Sequence, residues 1–589
     1  MSKQVVFHIG GWSSCGFYNK AYNVLASLSI LFPSRLKVVD HKHSSRDEYR
    51  SWLIGDAPGS GFRDTFGLPK ASKQTSSPFA WIETPSGSNS YIGGCDDTLA
   101  WCKSLCEPRE EEETERAVHE DDGHKAGHGF DYDLVVIGGG SGGLAASKEA
   151  AKFGAKVAVL DFVKPSPAGS TWGLGGTCVN VGCIPKKLMH NAALIGEILS
   201  SDTEAFGFTA PQALDKGHSW TAMRESVQNH IRGLNFNYRV TLREEQVTYL
   251  NKLGKFIDPH TLELTDKKGK VSQITASRII IATGGRPTPL NCEGGDLAIS
   301  SDDIFSLEES PGKTLCVGAS YIALECAGFL AGIGVDTSVA VRSILLRGFD
   351  REIADKIGAH MEDHGVKFRK GVVPSKLEKT TEGKIEVTFS DGSKDVYDTV
   401  FSAIGRSADT DKLGVSNINL TVNPRNGKIP TKYEQTSVPN VYAIGDVMEG
   451  CPELTPVAIQ AGKQLARRLF DGSSTPMDYR NVCTTVFTPL EFGTVGYSED
   501  SAKETFGEDK VEVYHSNFTP LEWALSPHRA KHPAFAKVVV MKDTSSVLGL
   551  HYLGPHAGEV TQGFGVAIRK GIKHQDLLDT VGIHPTTAE

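Results

Sequence analysis

The sequence has no apolar run near the ~18 residues that a membrane span needs, no surplus of basic charge and no paired-cysteine framework. A helical membrane protein is therefore not expected. Of 589 residues, 62 are Lys or Arg and 71 are Asp or Glu, a net charge of −9, so nucleic acid is not an expected partner. The 11 cysteines are odd in number and scattered, which fits a reducing compartment better than a disulfide scaffold. An export leader is not expected either. The start, MSKQVVFHIGGWSS, has an apolar run too short and too soon broken by glycine, and it reads as a strand and turn. A cytoplasmic protein without membrane or nucleic-acid partners is the expectation.

What is present is an ordinary balance of 39% hydrophobic and 23% charged residues, with 62 glycines gathered in short motifs. The length predicts about four domains. One break is plain: residues 107–128, EPREEEETERAVHEDDGHKAGH, carry a block of like charge and almost no apolar side chains. Such a stretch buries too little surface to offset its ordering entropy, and a mobile acidic linker over 107–130 is expected, with a solvated helix over Glu110–Val118 as the alternative.

After it comes DYDLVVIGGGSGGLAASKEAAKFGAKVAVLD, residues 131–161. A buried strand, GxGxxG on Gly138, Gly140 and Gly143 with Ser141 and Gly142 inside the turn, an alanine-rich helix and a second strand ending at Asp161 form a dinucleotide-binding unit. The glycines permit close approach to a pyrophosphate at a helix start, and the acid suits a ribose hydroxyl. A second unit runs through KTLCVGASYIALECAGFLAGIGVDTSVAVRS, where Gly318 opens the turn but Ser320 and Ala323 replace later glycines. Its second strand ends in Arg342, with Arg347 close behind. Guanidinium there suits a ribose 2′-phosphate, so NADPH is expected over NADH.

WGLGGTCVNVGCIPKK sets Cys178 and Cys183 with four residues between them, a spacing of neither a zinc knuckle nor a thioredoxin-type site. No metal site is expected from the sequence. Two dinucleotide units and a cysteine pair together imply electrons passed from nicotinamide to flavin to a dithiol–disulfide couple.

GTCVNVGCIPKK, ATGGRP (282–287), AIGR (403–406), NVYAIGDV (440–447), ELTPVAIQAG (453–462) and HPTTAE (584–589) resemble the ordered motifs of the pyridine nucleotide–disulfide oxidoreductases, over nearly all of residues 131–589. Among these, the large-type animal thioredoxin reductases are the most similar. The resemblance implies FAD held by the first unit with Gly176, Thr177, Thr283, Gly284, Gly445 and Asp446. It makes Cys183 the flavin-side charge-transfer thiol and Cys178 the interchange thiol. Lys186 would lie near the flavin, paired with Glu325, and Tyr321 would cover the ring until NADPH displaces it. His584 with Glu589 would be the acid–base pair, serving the cysteines of the other subunit of a homodimer. The implied domains are FAD-binding segments over 131–290 and 410–480, an NADPH domain over 291–409 and an α+β interface domain over 481–589.

The first 106 residues resemble a glutaredoxin, a thioredoxin-fold domain. GWSSCGFYNKAYNVL places Cys15 at an exposed helix start, TSSP (75–78) reads as a cis-proline loop, and YIGGCDDTLAW offers backbone N–H groups at Gly94–Asp96 for an anion. The pattern departs from the family: no resolving cysteine follows Cys15, the loop before Thr75 is long, and a polar insertion precedes Gly93. The overall expectation is an α/β protein with one thioredoxin-fold domain, two Rossmann-like domains and a dimerisation domain. The combination resembles the thioredoxin–glutathione reductases, which reduce thioredoxin or glutathione disulfide. That class continues some two dozen residues past HPxxAE to a Cys–selenocysteine or Cys–Cys pair, whereas this sequence stops at Glu589. The expectation is either a longer chain or one without the shuttle. A glutathione reductase with an appended glutaredoxin-like domain and a tail-less redox-sensing flavoprotein are the alternatives.

Overall fold

The computed structural model describes residues 5–31, 33, 36–55, 62, 71, 75–83, 89–106, 116–208, 217–526 and 528–589. The chain divides into two compact units, Met1–Glu115 and Arg116–Glu589.

In the small unit the apolar run near the start forms the strand Val5–Trp12, which pairs in parallel with Leu36–His43 and antiparallel with Phe79–Glu83. The latter pairs with Asn89–Gly93, giving one four-stranded mixed sheet. Helices Gly16–Leu31, Arg46–Ile54 and Cys95–Cys106 accompany it. The core on one side is Phe7, Ile9, Tyr18, Ala21 and Leu25, and on the other Tyr49, Leu53, Phe79 and Trp81.

In the large unit the alternation of short apolar strands and helices produces parallel pairing, as burial on both faces requires. Tyr132–Ile137 pairs in parallel with Val157–Leu160 and with the second half of Val271–Ile281. That long strand serves two sheets' worth of neighbours: its first half is antiparallel to Thr261–Thr265, its end parallel to Val441–Ala443. Gly285–Pro287 and Arg406–Ala408 pair antiparallel where the chain leaves this sheet and returns to it. Between them lies a five-stranded parallel sheet centred on Thr314–Val317 and Thr399–Ser402, with a three-stranded antiparallel sheet beside it in sequence. The last sheet, from Thr484 to Leu553, is antiparallel and carries the helix Ala557–Arg569.

The linker expectation needs correction over 116–130, while 107–115 lie outside the described residues. Asp122 forms an ion pair with Arg278 and accepts the Tyr442 hydroxyl at 2.8 Å. His124 Nδ1 lies 2.7 Å from Ser277 Oγ, Gln435 accepts the Glu120 N–H, and Phe130 stacks on His260. This stretch lies along the large unit. The composition argument weighed apolar area alone and missed that buried, paired charges also anchor a chain.

Candidate active site

The helix Cys183–Glu197 begins at Cys183, directly after the short helix Gly176–Val181 that carries Cys178. A thiol at the start of a 15-residue helix faces the positive end of the helix dipole, which favours thiolate. Cys183 is exposed, Cys178 half-buried, and both are free thiols. The pair is asymmetric. The Cys178 S–H bonds to Cys183 and pulls the Cys183 thiol down to about 6 against the cost of burial, helped by Thr455 and by the charge of Lys186. The same hydrogen bond, together with burial, drives the Cys178 thiol far up.

Gly176 joins this pair to the dinucleotide turn. Its φ is +71°, and a Cβ there would lie 2.6 Å from the Gly140 Cα, so only glycine lets the two segments touch. The turn itself is as tight: a Cβ on Gly143 would fall 1.9 Å from the Gly138 carbonyl oxygen. Ser141 and Gly142 begin the helix Ser141–Lys152, and Asp161 accepts the Gly139 N–H at 3.1 Å. Burial pushes the Asp161 carboxyl up to about 6. A cavity of about 70 Å³ is lined by Gly138, Asp161 and Thr283, next to Gly284, and the buried Thr283 Oγ1 has no hydrogen-bond partner. A buried carboxylate and an unpartnered hydroxyl beside a glycine turn fit the ribose and pyrophosphate of a bound dinucleotide.

Lys186 Nζ is 2.8 Å from Glu325 Oε1 and 4.2 Å from the Phe487 ring centre, and the Phe487 N–H donates to the same carboxylate. Tyr321 opens the helix Tyr321–Gly332 that supplies Glu325; burial raises its phenol, and Asp446 and Arg406 are among its charged neighbours. Asp446 lies half-buried in the turn Gly445–Val447, with its carboxyl raised by burial and by Glu453. Arg406 reaches Gly285 O and, at 3.4 Å, Thr177 Oγ1.

In the second unit, the Gly318 turn is closed by Leu346 N–H donating to Ala319 O, which brings back the loop bearing Arg342 and Arg347. Both arginines are exposed, and Arg347 donates to Ser343 Oγ at 2.9 Å. His584 Nδ1 is 2.9 Å from Glu589 Oε2, on a segment where His584 is 80% exposed.

Two small-unit expectations change. Cys15 does precede the helix Gly16–Leu31, but it is 6% exposed and packed in the core. It is not an exposed helix-start thiol, because it packs in the core with Phe7, Ile9, Tyr18 and Cys95. The Gly94 N–H is not open to an anion: Asp97 Oδ2 accepts it at 3.0 Å, capping the helix with the chain's own carboxylate. The Ser77–Pro78 bond is cis. Residues 84–88 of the polar insertion, and most of the loop before Thr75, lie outside the described residues.

The sequence reading named neither Thr455, Phe487 nor Glu491. Thr455 Oγ1 is 3.8 Å from Cys183 Sγ, and Glu491 holds both Lys187 and His190. Thr455 could have been picked from its motif, whereas Phe487 and Glu491 lie in stretches with no local signature.

Residues 132–462 match the pyridine nucleotide-disulphide oxidoreductase family, and residues 482–589 match that family's dimerisation domain, which supports a homodimer. A thioredoxin reductase, SEP1, of Emiliania huxleyi is 55% identical over 474 residues, covering 78% of this chain and 94% of that protein. The family uses FAD and NADPH, and the glycine turn, the buried Asp161, the unpartnered Thr283 hydroxyl and the adjoining cysteine pair agree with such use. With more than half its length matched and its site built in this way, the chain belongs to the pyridine nucleotide-disulphide oxidoreductase family.

Proposed function

We propose that this chain is an NADPH-dependent flavoprotein disulfide reductase of the thioredoxin–glutathione reductase type, passing electrons through Cys178 and Cys183 to thioredoxin, glutathione disulfide or both. One observation carries the reading: the short helix that carries Cys178 and leads into the Cys183 helix begins at Gly176, which touches the dinucleotide turn at Gly140. Bound FAD would supply the two-electron relay between nicotinamide and disulfide. Gly138, Gly140, Gly143, Asp161 and Thr283 would hold its adenosine and pyrophosphate, and Asp446 its ribityl side. Lys186, fixed by Glu325, supplies a positive charge that favours thiolate at Cys183.

In the reduced pair Cys183 keeps the negative charge and Cys178 the proton, so Cys178 must lose that proton before its sulfur attacks an external disulfide. His584, oriented by Glu589, is proposed as the acceptor, working on the cysteine pair of the other subunit. Arg342 and Arg347 are proposed to read the 2′-phosphate of NADPH. The strand order of the small unit supports a glutaredoxin-like, thioredoxin-fold assignment for it, although the burial of Cys15 weighs against that thiol exchanging without local opening.

The test is NADPH oxidation with thioredoxin and, separately, with glutathione disulfide, by the full chain and by Cys178→Ser and Cys15→Ser. Cys178→Ser should lose both activities; Cys15→Ser should lose only a glutathione activity routed through the small unit. Turnover that survives Cys178→Ser would overturn the electron path. A glutathione activity that needs Cys178 but not Cys15 would favour a glutathione reductase carrying an appended domain.

A further inference from the structure

At the opposite end of the cysteine helix from Cys183 a second cluster of side chains converges. Glu197 is the last residue of that helix, His364 follows the helix Arg351–Asp363, and His528 precedes the short turn Arg529–Lys531. One ligand atom from each lies within 4.8 Å of the others, and all three residues are half-buried. His528 Nε2 is 3.0 Å from His364 Nε2, which is 3.4 Å from Glu197 Oε1. We propose that Glu197, His364 and His528 form a zinc-type divalent-cation site that fastens three distant segments of the chain together.

The second layer of contacts points the same way. His364 Nδ1 is 2.6 Å from the His360 carbonyl oxygen, so Nδ1 carries the hydrogen and the Nε2 lone pair is turned towards His528 and Glu197. Metal-bound histidines are oriented by this kind of outer bond. Glu197 Oε2 is engaged by Arg529 at 3.4 Å, which leaves Oε1 facing the imidazoles. Asp202 takes the same guanidinium at 2.8 Å, so Glu197 and Asp202 outweigh Arg529 by one negative charge. With metal bonds of about 2.0–2.1 Å in a tetrahedron, ligand atoms stand roughly 3.3 Å apart, close to the His528–His364 and His364–Glu197 separations, while the third pair lies within 4.8 Å and would close up on a bound ion.

Two nitrogens and one carboxylate oxygen leave a fourth position. A cavity of about 220 Å³ is lined by all three residues together with His190, Ser200 and Ser201, and gives that position room for water. The ligand set is the His₂Glu type, which suits zinc and other borderline cations over calcium or magnesium. The competing arrangement is a proton in place of the metal, shared among His364, His528 and Glu197.

The full-length protein, stripped with a chelator and kept oxidised so that Cys178 and Cys183 offer no thiolate, is titrated with Co²⁺ and then Zn²⁺. One Co²⁺ per chain is expected, with tetrahedral ligand-field absorption and no sulfur-to-cobalt charge transfer, and Zn²⁺ should displace it and raise Tm. His528→Gln and His364→Gln should each weaken zinc binding by more than the roughly 100-fold that loss of an outer-shell partner can cause, with flavin content unchanged. His532→Gln, whose ring instead bonds Asp363, should bind as the parent does. Absence of a one-per-chain Co²⁺ spectrum, binding that survives both histidine substitutions, or a sulfur-to-cobalt band would each overturn the proposal.

Discussion

Removing the Cys178 thiol should move the titration of Cys183 more than any other single change. The Cys183 thiol is drawn from its ordinary value near 9.0 to about 6, and the hydrogen bond from Cys178 is the largest cause. A lowered midpoint leaves far more of Cys183 as thiolate at neutral pH than an ordinary thiol carries. The sign is that of an acid made stronger: thiolate persists above pH 6 and is lost below it. Cys178→Ala deletes the donor and leaves Thr455 and Lys186, so the midpoint should climb above about 7. The assay is iodoacetamide labelling of the reduced protein across pH, read by mass spectrometry of the Cys183 peptide. Midpoint, and not rate at pH 7, is the informative quantity, because a thiolate of higher pKa is also the better nucleophile, with a Brønsted slope of about 0.4–0.5, and the two effects nearly cancel. An unchanged midpoint in Cys178→Ala, or labelling of Cys178 at lower pH than Cys183 in the parent, would refute the asymmetry.

Replacing Arg342 and Arg347 together by Gln should raise KM for NADPH tenfold or more, since each hydrogen bond to a charged group is worth about 1.5–3 kcal/mol, while KM for NADH stays nearly constant; equal changes for both nucleotides would remove the arginines from 2′-phosphate recognition. Gly143→Ala should destabilise the turn by about 1–3 kcal/mol, because its Cβ would strike the Gly138 carbonyl, and lower the flavin-to-protein ratio after gel filtration; full flavin retention would show that the turn can relax. His584→Ala and Cys178→Ser subunits, each inactive alone, should regain turnover when mixed into heterodimers, and no recovery would count against a shared site.

The parts of the site legible in the sequence are those where a backbone requirement selects the residue. Gly138, Gly143 and Gly176 are dictated by contacts that a Cβ would occupy, and the Cys178–Cys183 spacing follows from two helices meeting at Gly182. Partners joined only by folding were not legible. Thr455 reaches Cys183 across 272 residues, and His528 meets His364 across 164, with nothing local to pair them. The segment 116–130 misled for a different reason: its acidic composition resembles a solvated spacer until Arg278 and Tyr442 are seen to receive Asp122. The Asp97 cap at Gly94, by contrast, was readable, since an acid three residues after a helix-capping position is a known way to close a helix start.

The proton on Cys178 leads from the single chain to the dimer. Among the described residues, Cys183, Thr455 and Tyr238 interact with the Cys178 sulfur, and the Tyr238 phenol, raised by burial, is no base. Thr455 is no base, and Cys183 at about 6 keeps its own charge at neutral pH, so neither removes the Cys178 proton. His584, the proposed base, has Nδ1 2.9 Å from Glu589 Oε2 and is 80% exposed, so its ring is open to a second subunit. Val581 and Ile583 beside it are 92% and 77% exposed, apolar side chains that a second surface would cover. The dimerisation-domain match extends through this segment. In the proposed twofold dimer the His584 of each subunit would meet the Cys178 of the other, so a single symmetric contact would supply the base to both sites.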